Sequence, residues 1–196
     1  MSHSPALSTR IHDQFEASIQ VAQDAVSLLE EPIEQAVQII TNGLMNEGKV
    51  LICGQGASGL AANHMAAILA DRFEQDRPGL AAIALARDGA AMMDDADPLH
   101  GFSRQVAALG HPGDVLVVLS IFGETDAVKA AVRMAHERDM HVVAIIGGDG
   151  GSLAESLGEP DVLMCIPTSS APRVIEAQFL VIHCLCDGID FFLLGA

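Results

Sequence analysis

The sequence predicts an α/β fold: one unit built on a five-stranded parallel sheet flanked by helices, with further helices ahead of the first strand. Three observations predict it. Apolar runs near residues 49–53, 81–86, 114–120, 141–146 and 161–166 alternate with helical stretches near 58–73, 101–109, 124–138, 151–157 and 172–194. The connections between them are short, as right-handed βαβ units require. The runs are continuously apolar rather than alternating, which suits strands buried on both faces.

Each element has its own signal. Residues 6–30 carry Ile11, Phe15, Ile19, Val21, Ala25, Leu28 and Leu29 at helical spacing, and Pro32 opens a second helix through Leu44. These two helices present more apolar surface than one small sheet covers, so residues 1–48 are assigned to oligomerisation and residues 49–196 to the α/β domain. Lys49-Val50-Leu51-Ile52-Cys53 then empties into Gly54-Gln55-Gly56-Ala57-Ser58-Gly59, followed by an Ala-rich helix. Glycines at that junction let the backbone turn tightly and aim its N–H groups, with the positive helix end, at an anion. Ser58 is placed like the helix N-cap, where its hydroxyl also suits a phosphate oxygen. A second loop of this kind, Ser120-Ile121-Phe122-Gly123-Glu124-Thr125, follows the strand Asp114 to Leu119. Both loops fall at carboxyl ends of strands, where open α/β sheets bind ligands.

Composition narrows the function. A formal net charge of −16 repels phosphate backbones and argues against direct binding of nucleic acid or anionic membrane, while a basic protein partner stays attractive. Cys53, Cys165, Cys184 and Cys186 lie in or beside apolar runs, which reads as buried thiols in a reducing cytoplasm. No basic stretch precedes an apolar one at the N-terminus, so no export signal is read and the protein is expected to be cytoplasmic.

Several stretches together resemble one family. Lys49 to Ser58, Asp71-Arg72-Phe73-Glu74-Gln75-Asp76-Arg77-Pro78, Arg104-Gln105-Val106-Ala107-Ala108-Leu109-Gly110, Asp149-Gly150-Gly151 and Ile182-His183-Cys184-Leu185-Cys186-Asp187 resemble the sugar isomerase (SIS) domain family. Within it the chain is similar to the branch holding phosphoheptose isomerases and the DnaA initiator-associating protein DiaA. The resemblance implies a flavodoxin-like single SIS domain and a homotetramer built by the N-terminal helices. It implies a phosphosugar-binding set of Gly54, Gly56, Ser58, Asp95, Ser120, Gly123 and Thr125.

The isomerases of that branch move a proton between C1 and C2 of a phosphorylated sugar, with a Glu four residues after a His on the helix following the first loop. Here His64 stands, but Ile68 occupies the Glu position. An Arg-Ile-Gln-Glu motif on their last helix is followed, eight residues after its Gln, by a second His. Here Arg173-Val174-Ile175-Glu176 replaces that Gln with Ile175, and His183 is retained. These four positions hold zinc in some members. With only His64 and His183 as ligand candidates, a catalytic zinc lacks its third protein ligand, so no cofactor is expected. In the second loop Ile121 and Phe122 remove hydroxyls, and Glu124 sets a carboxylate near a bound dianion, a repulsion of roughly 1–4 kcal/mol at about 4 Å. Sugar phosphate is therefore expected to bind weakly. The resulting expectation is a non-catalytic homotetramer resembling DiaA that binds a DnaA-type initiator, with sedoheptulose 7-phosphate isomerase as the alternative and His64 and His183 as its catalytic groups.

Overall fold

The computed structural model describes residues 6–86 and 98–195. Asp95, read from the sequence as part of the sugar site, lies outside the described residues.

Five parallel strands form one sheet in the order β2-β1-β3-β4-β5. They are β1 (Val50–Gly54), β2 (Ala82–Ala84), β3 (Val115–Ser120), β4 (His141–Gly147) and β5 (Val162–Ile166). The helices between and around them are α1 (Leu7–Met45), α2 (Ala57–Ala70), α3 (Gly101–Leu109), α4 (Asp126–Glu137), α5 (Gly151–Ala154) and α6 (Ala171–Leu194). Side chains alternate across the strands, as the pleat dictates. Val50 and Ile52 of β1, with Val115, Val117 and Leu119 of β3, join a core with α1, α2 and α6. Leu51 and Cys53, with Leu116 and Val118, join a second core with α3, α4 and α5. The continuous apolar runs follow from this, because both faces of the central strands are covered.

The N-terminal region differs from the expected pair of helices. It is one α-helix of 39 residues with Pro32 inside it. Proline removes one hydrogen bond and crowds the preceding turn, at a cost of about 3 kcal/mol. Burial holds the helix through that point: Ala25 and Leu29 before the proline, and Ala36, Val37 and Ile40 after it, enter the same core. No residue of α1 before Ala25 is buried, and Leu7, Ile11, Phe15 and Ile19 are exposed. It is tethered to α6 instead. Arg173 donates to the carbonyl of Gln14, and Ser18 Oγ donates to Glu176 at 2.8 Å.

α6 is long and apolar enough to cross a membrane by length and composition alone. Its inward face is core, with Val174, Ala177, Val181, Ile182, Leu185 and Ile189 buried against the sheet and its neighbours. A buried ion pair from Arg77 Nε to Asp190 anchors its far end, and Arg77 also donates to the carbonyl oxygens of Ile68 and Leu69 at the end of α2.

Candidate functional site

β1 lies between β2 and β3, so the chain leaves β1 toward one side of the sheet and resumes on the other. The carboxyl ends of β1 and β3 flank that reversal, which opens a crevice in doubly wound sheets. Gly54 and Leu119 are paired in register there, so both predicted loops leave from the same edge.

The β1 loop is glycine-dependent in a specific way. A Cβ on Gly54 would stand 2.5 Å from the carbonyl oxygen of Ser58, because the first turn of α2 presses onto the strand end. Gly56, at φ 62°, is the residue that caps α2. Ser58 is thus inside the helix rather than its N-cap, and its hydroxyl is fully buried and donates to Oε1 of Gln178 at 3.0 Å. This hydroxyl is therefore engaged inside the core and does not open onto the crevice. Beside the loop, Gly54, Gln55, Gly56, Gly59, Leu60, Asn63, Leu85 and Ala86 line a pocket of about 370 Å³.

The β3 loop folds back on itself and on the β4–α5 turn. Gly123 N–H donates to Ser120 Oγ at 3.0 Å. At φ 70°, a Cβ on Gly123 would lie 1.9 Å from the carbonyl oxygen of Gly150, so only glycine fits. Thr125 caps α4 through its backbone, its carbonyl accepting from Val128 and Lys129. Glu124 departs from the expectation of a carboxylate in the cleft. Its oxygens accept the N–H of Ser152 at 2.9 Å and the hydroxyl of Ser152 at 2.7 Å, and these bonds hold its pKa below the usual carboxylate value. The acid is turned toward α5, where the Ser152 donors stabilise its charged form.

The histidines form a second centre, further along α2. His64 sits six residues beyond Ser58, about 9 Å along the helix, and its Nε2 lies 2.9 Å from Nε2 of His183 on α6. The pair is flanked by rings: Phe179 at 5.2 Å from His64 and Phe73 at 5.5 Å from His183, centroid to centroid. Desolvation, and then the neighbouring His183, lower the pKa of His64. One nitrogen donates and the other accepts, so this contact carries a single proton between two imidazoles.

The residues here do not fit a catalytic zinc. Ile68 and Ile175 offer no donor, the two Nε2 atoms are engaged with each other, and no group of three metal-ligating side chains occurs among the described residues. Arg173 and Glu176 are turned toward α1, where Arg173 also pairs with Glu176.

Sequence reasoning missed Gln178. It is fully buried, and besides accepting from Ser58 it donates Nε2 to the carbonyl oxygens of Ser120 at 3.0 Å and Ile145 at 3.3 Å. Its signal was an amide on the apolar face of a helix, five residues before His183.

The family assignment follows from comparison with known proteins. The SIS domain family profile matches residues 14–147. The chain belongs to the SIS domain family. Curated relatives named phosphoheptose isomerase match over nearly its full length. The protein of Azoarcus sp. (strain BH72) is 48% identical over 189 residues, covering 95% of this chain and 96% of the relative. That of Dechloromonas aromatica (strain RCB) is 44% identical over 192 residues, covering 96% and 98%. Among solved structures, phosphoheptose isomerase GmhA from Neisseria gonorrhoeae superposes with a TM-score of 0.87 at 42% identity, covering 94% of this chain and 99% of that one. A phosphoheptose isomerase from Francisella tularensis gives a TM-score of 0.90 at 38% identity, covering 95% and 99%.

These matches overturn the expected DiaA-like, non-catalytic regulator of initiation. The high-identity relatives are isomerases by name, and they favour the alternative reading. The two retained histidines, 119 residues apart in sequence, meet at hydrogen-bond distance.

Proposed function

We propose that this SIS domain protein is a cytoplasmic phosphosugar isomerase that interconverts sedoheptulose 7-phosphate and its aldose isomer, with His64 and His183 as the acid/base pair. The observation that carries the reading is the full-length likeness to phosphoheptose isomerases at 44–48% identity. The paired histidines supply the chemistry that this likeness calls for. Isomerisation takes a proton from C1 of the ketose and delivers one to C2, while the C2 carbonyl oxygen gains a proton to become a hydroxyl and the C1 hydroxyl loses its proton to become the aldehyde. One imidazole accepts the carbon-bound proton, and the other exchanges protons with the sugar oxygens. Positioned acid/base groups contribute about 10²–10⁴-fold. The depressed pKa of His64 keeps it neutral near pH 7 and suits it to the accepting role.

The phosphate end is assigned to the crevice between β1 and β3, at Gly54, Gly56 and the first-turn amides of α2, with Ser120, Gly123 and Thr125 opposite. Helix α2 has 14 residues and its positive end points there. The exposed apolar stripe of α1, with Leu180, Phe191 and Phe192 on α6, is the surface assigned to association into a homotetramer. Light scattering that returned the 20.5 kDa monomer mass at micromolar concentration would contradict that assignment.

A second reading, sugar-phosphate binding without turnover, is favoured by Ile68 and Ile175 alone. Turnover of sedoheptulose 7-phosphate, measured beside calorimetric binding of the same compound, separates the two. Binding with turnover supports the isomerase, and binding without turnover supports the second reading.

A further inference from the structure

We propose that Gln178 is a positioning residue that locks the two ligand loops to each other, so that neither loop is set independently. This rests on reading the β1–β3 crevice as the phosphate end of the site.

The argument starts from hydrogen-bond capacity. A glutamine amide offers two N–H donors and an acceptor oxygen. In Gln178 both donor directions and the oxygen are used, inside a core from which water is excluded. Its oxygen accepts a hydrogen bond from the hydroxyl of Ser58, in the first turn of α2. Its nitrogen donates to the carbonyl of Ser120, the last residue of β3 and the root of the second loop, and to Ile145 of β4. One planar amide therefore spans the start of α2, the end of β3 and the next strand. Ser120 in turn fixes Gly123 through its hydroxyl, which extends the lock into the second loop.

A buried amide is costly unless all its partners are present, so it holds these partners at set positions rather than tolerating slack. It is also carried by the helix that carries His183, five residues away. The phosphate end and the acid/base end are thus referenced to one rigid element.

The test uses full-length protein with Gln178→Met, which keeps the length of the side chain and deletes its three bonds, and with Ser58→Ala, which removes only one. Hydrogen exchange is followed by mass spectrometry in residues 54–59 and 120–125. In Gln178→Met exchange should rise about tenfold or more in both loops together, while β4 stays protected. Ser58→Ala is the sharper case, since the Ser58 hydroxyl is bonded to Gln178 and not to the second loop. Exchange should rise in residues 120–125 as well as in 54–59, and the double variant should show less than the sum of the two effects.

The KM for sedoheptulose 7-phosphate should rise about tenfold with kcat nearly unchanged, as expected when uniform binding of a non-reacting group is lost. If the protein shows no turnover, the isomerase reading falls and the exchange data alone decide the role of Gln178. A rise confined to one loop, additive effects, or exchange in 120–125 untouched by Ser58→Ala would overturn the proposal. Should Gln178→Met fail to fold, Ser58→Ala carries the same decision.

Discussion

His64 Nε2 and His183 Nε2 lie 2.9 Å apart across the α2–α6 interface, closer than two protonated imidazoles tolerate. Each ring is backed by a phenylalanine, Phe179 and Phe73 respectively. The contact therefore selects a state with one shared proton, and pH acts on it directly.

The first prediction concerns that pH dependence. The folded pKa of His64 lies below its ordinary 6.5, through desolvation first and His183 second. Between the folded and unfolded values the unfolded chain binds more protons, so stability rises with pH across that window. It should be full above pH 6.5 and decline as pH falls below it toward the folded pKa. Urea melts from pH 7.5 to 5 should show this decline, and His64→Gln should flatten it.

Glu124 supplies the second. Its carboxyl is held below the ordinary 4.5, chiefly by the Ser152 hydroxyl, then by the Ser152 amide. A depressed acid stabilises above its unfolded pKa and loses that contribution as pH falls through the folded value. The tie between the β3 loop and α5 should loosen only below about pH 4.5. Glu124→Gln should loosen it at neutral pH, seen as faster amide exchange around residues 120–125 and 151–153 with little change in global stability.

Much of this architecture was legible in the sequence. The strand positions were read from continuous apolar runs because a sheet covered on both faces, here by two separate cores, has no polar side to betray. The long α1 was not, since Pro32 is a local stop signal whereas its neutralisation by Ala25, Leu29, Val37 and Ile40 is tertiary. Ser58 and Glu124 were read from the sequence as lying beside a bound phosphate, with no sign of the side chains they bond to. Their hydroxyl and carboxylate are claimed by Gln178 and Ser152, 120 and 28 residues away, and sequence spacing carries no record of such pairings. The approach of His64 to His183 was hidden for the same reason.

The third prediction concerns thiols. Burial pushes Cys53 and Cys186 up to about 12, and the thiolate is the reactive species. A thiol reagent at pH 8 should leave both unmodified in the native protein and modify them only on unfolding. Mass spectrometry of the digested, labelled protein checks this.

The buried ion pair at the end of α6 gives the fourth. Arg77 binds Asp190 and the last carbonyls of α2, with both side chains almost wholly removed from solvent. Arg77→Ala leaves an uncompensated carboxylate in the core and should cost about 3–5 kcal/mol. Asp190→Asn should cost less, because an amide replaces the charge. Denaturant unfolding of the two variants orders them.

The central claim is that the two histidines, without the family carboxylate, perform the isomerisation. The most direct measurement is turnover of sedoheptulose 7-phosphate by the purified protein and by His183→Ala, with folding of the variant checked by thermal melt. The account predicts turnover above the buffer control in the wild type and a loss of about 10²–10⁴-fold in the variant. Wild-type turnover no greater than buffer, or full activity in His183→Ala, would contradict it.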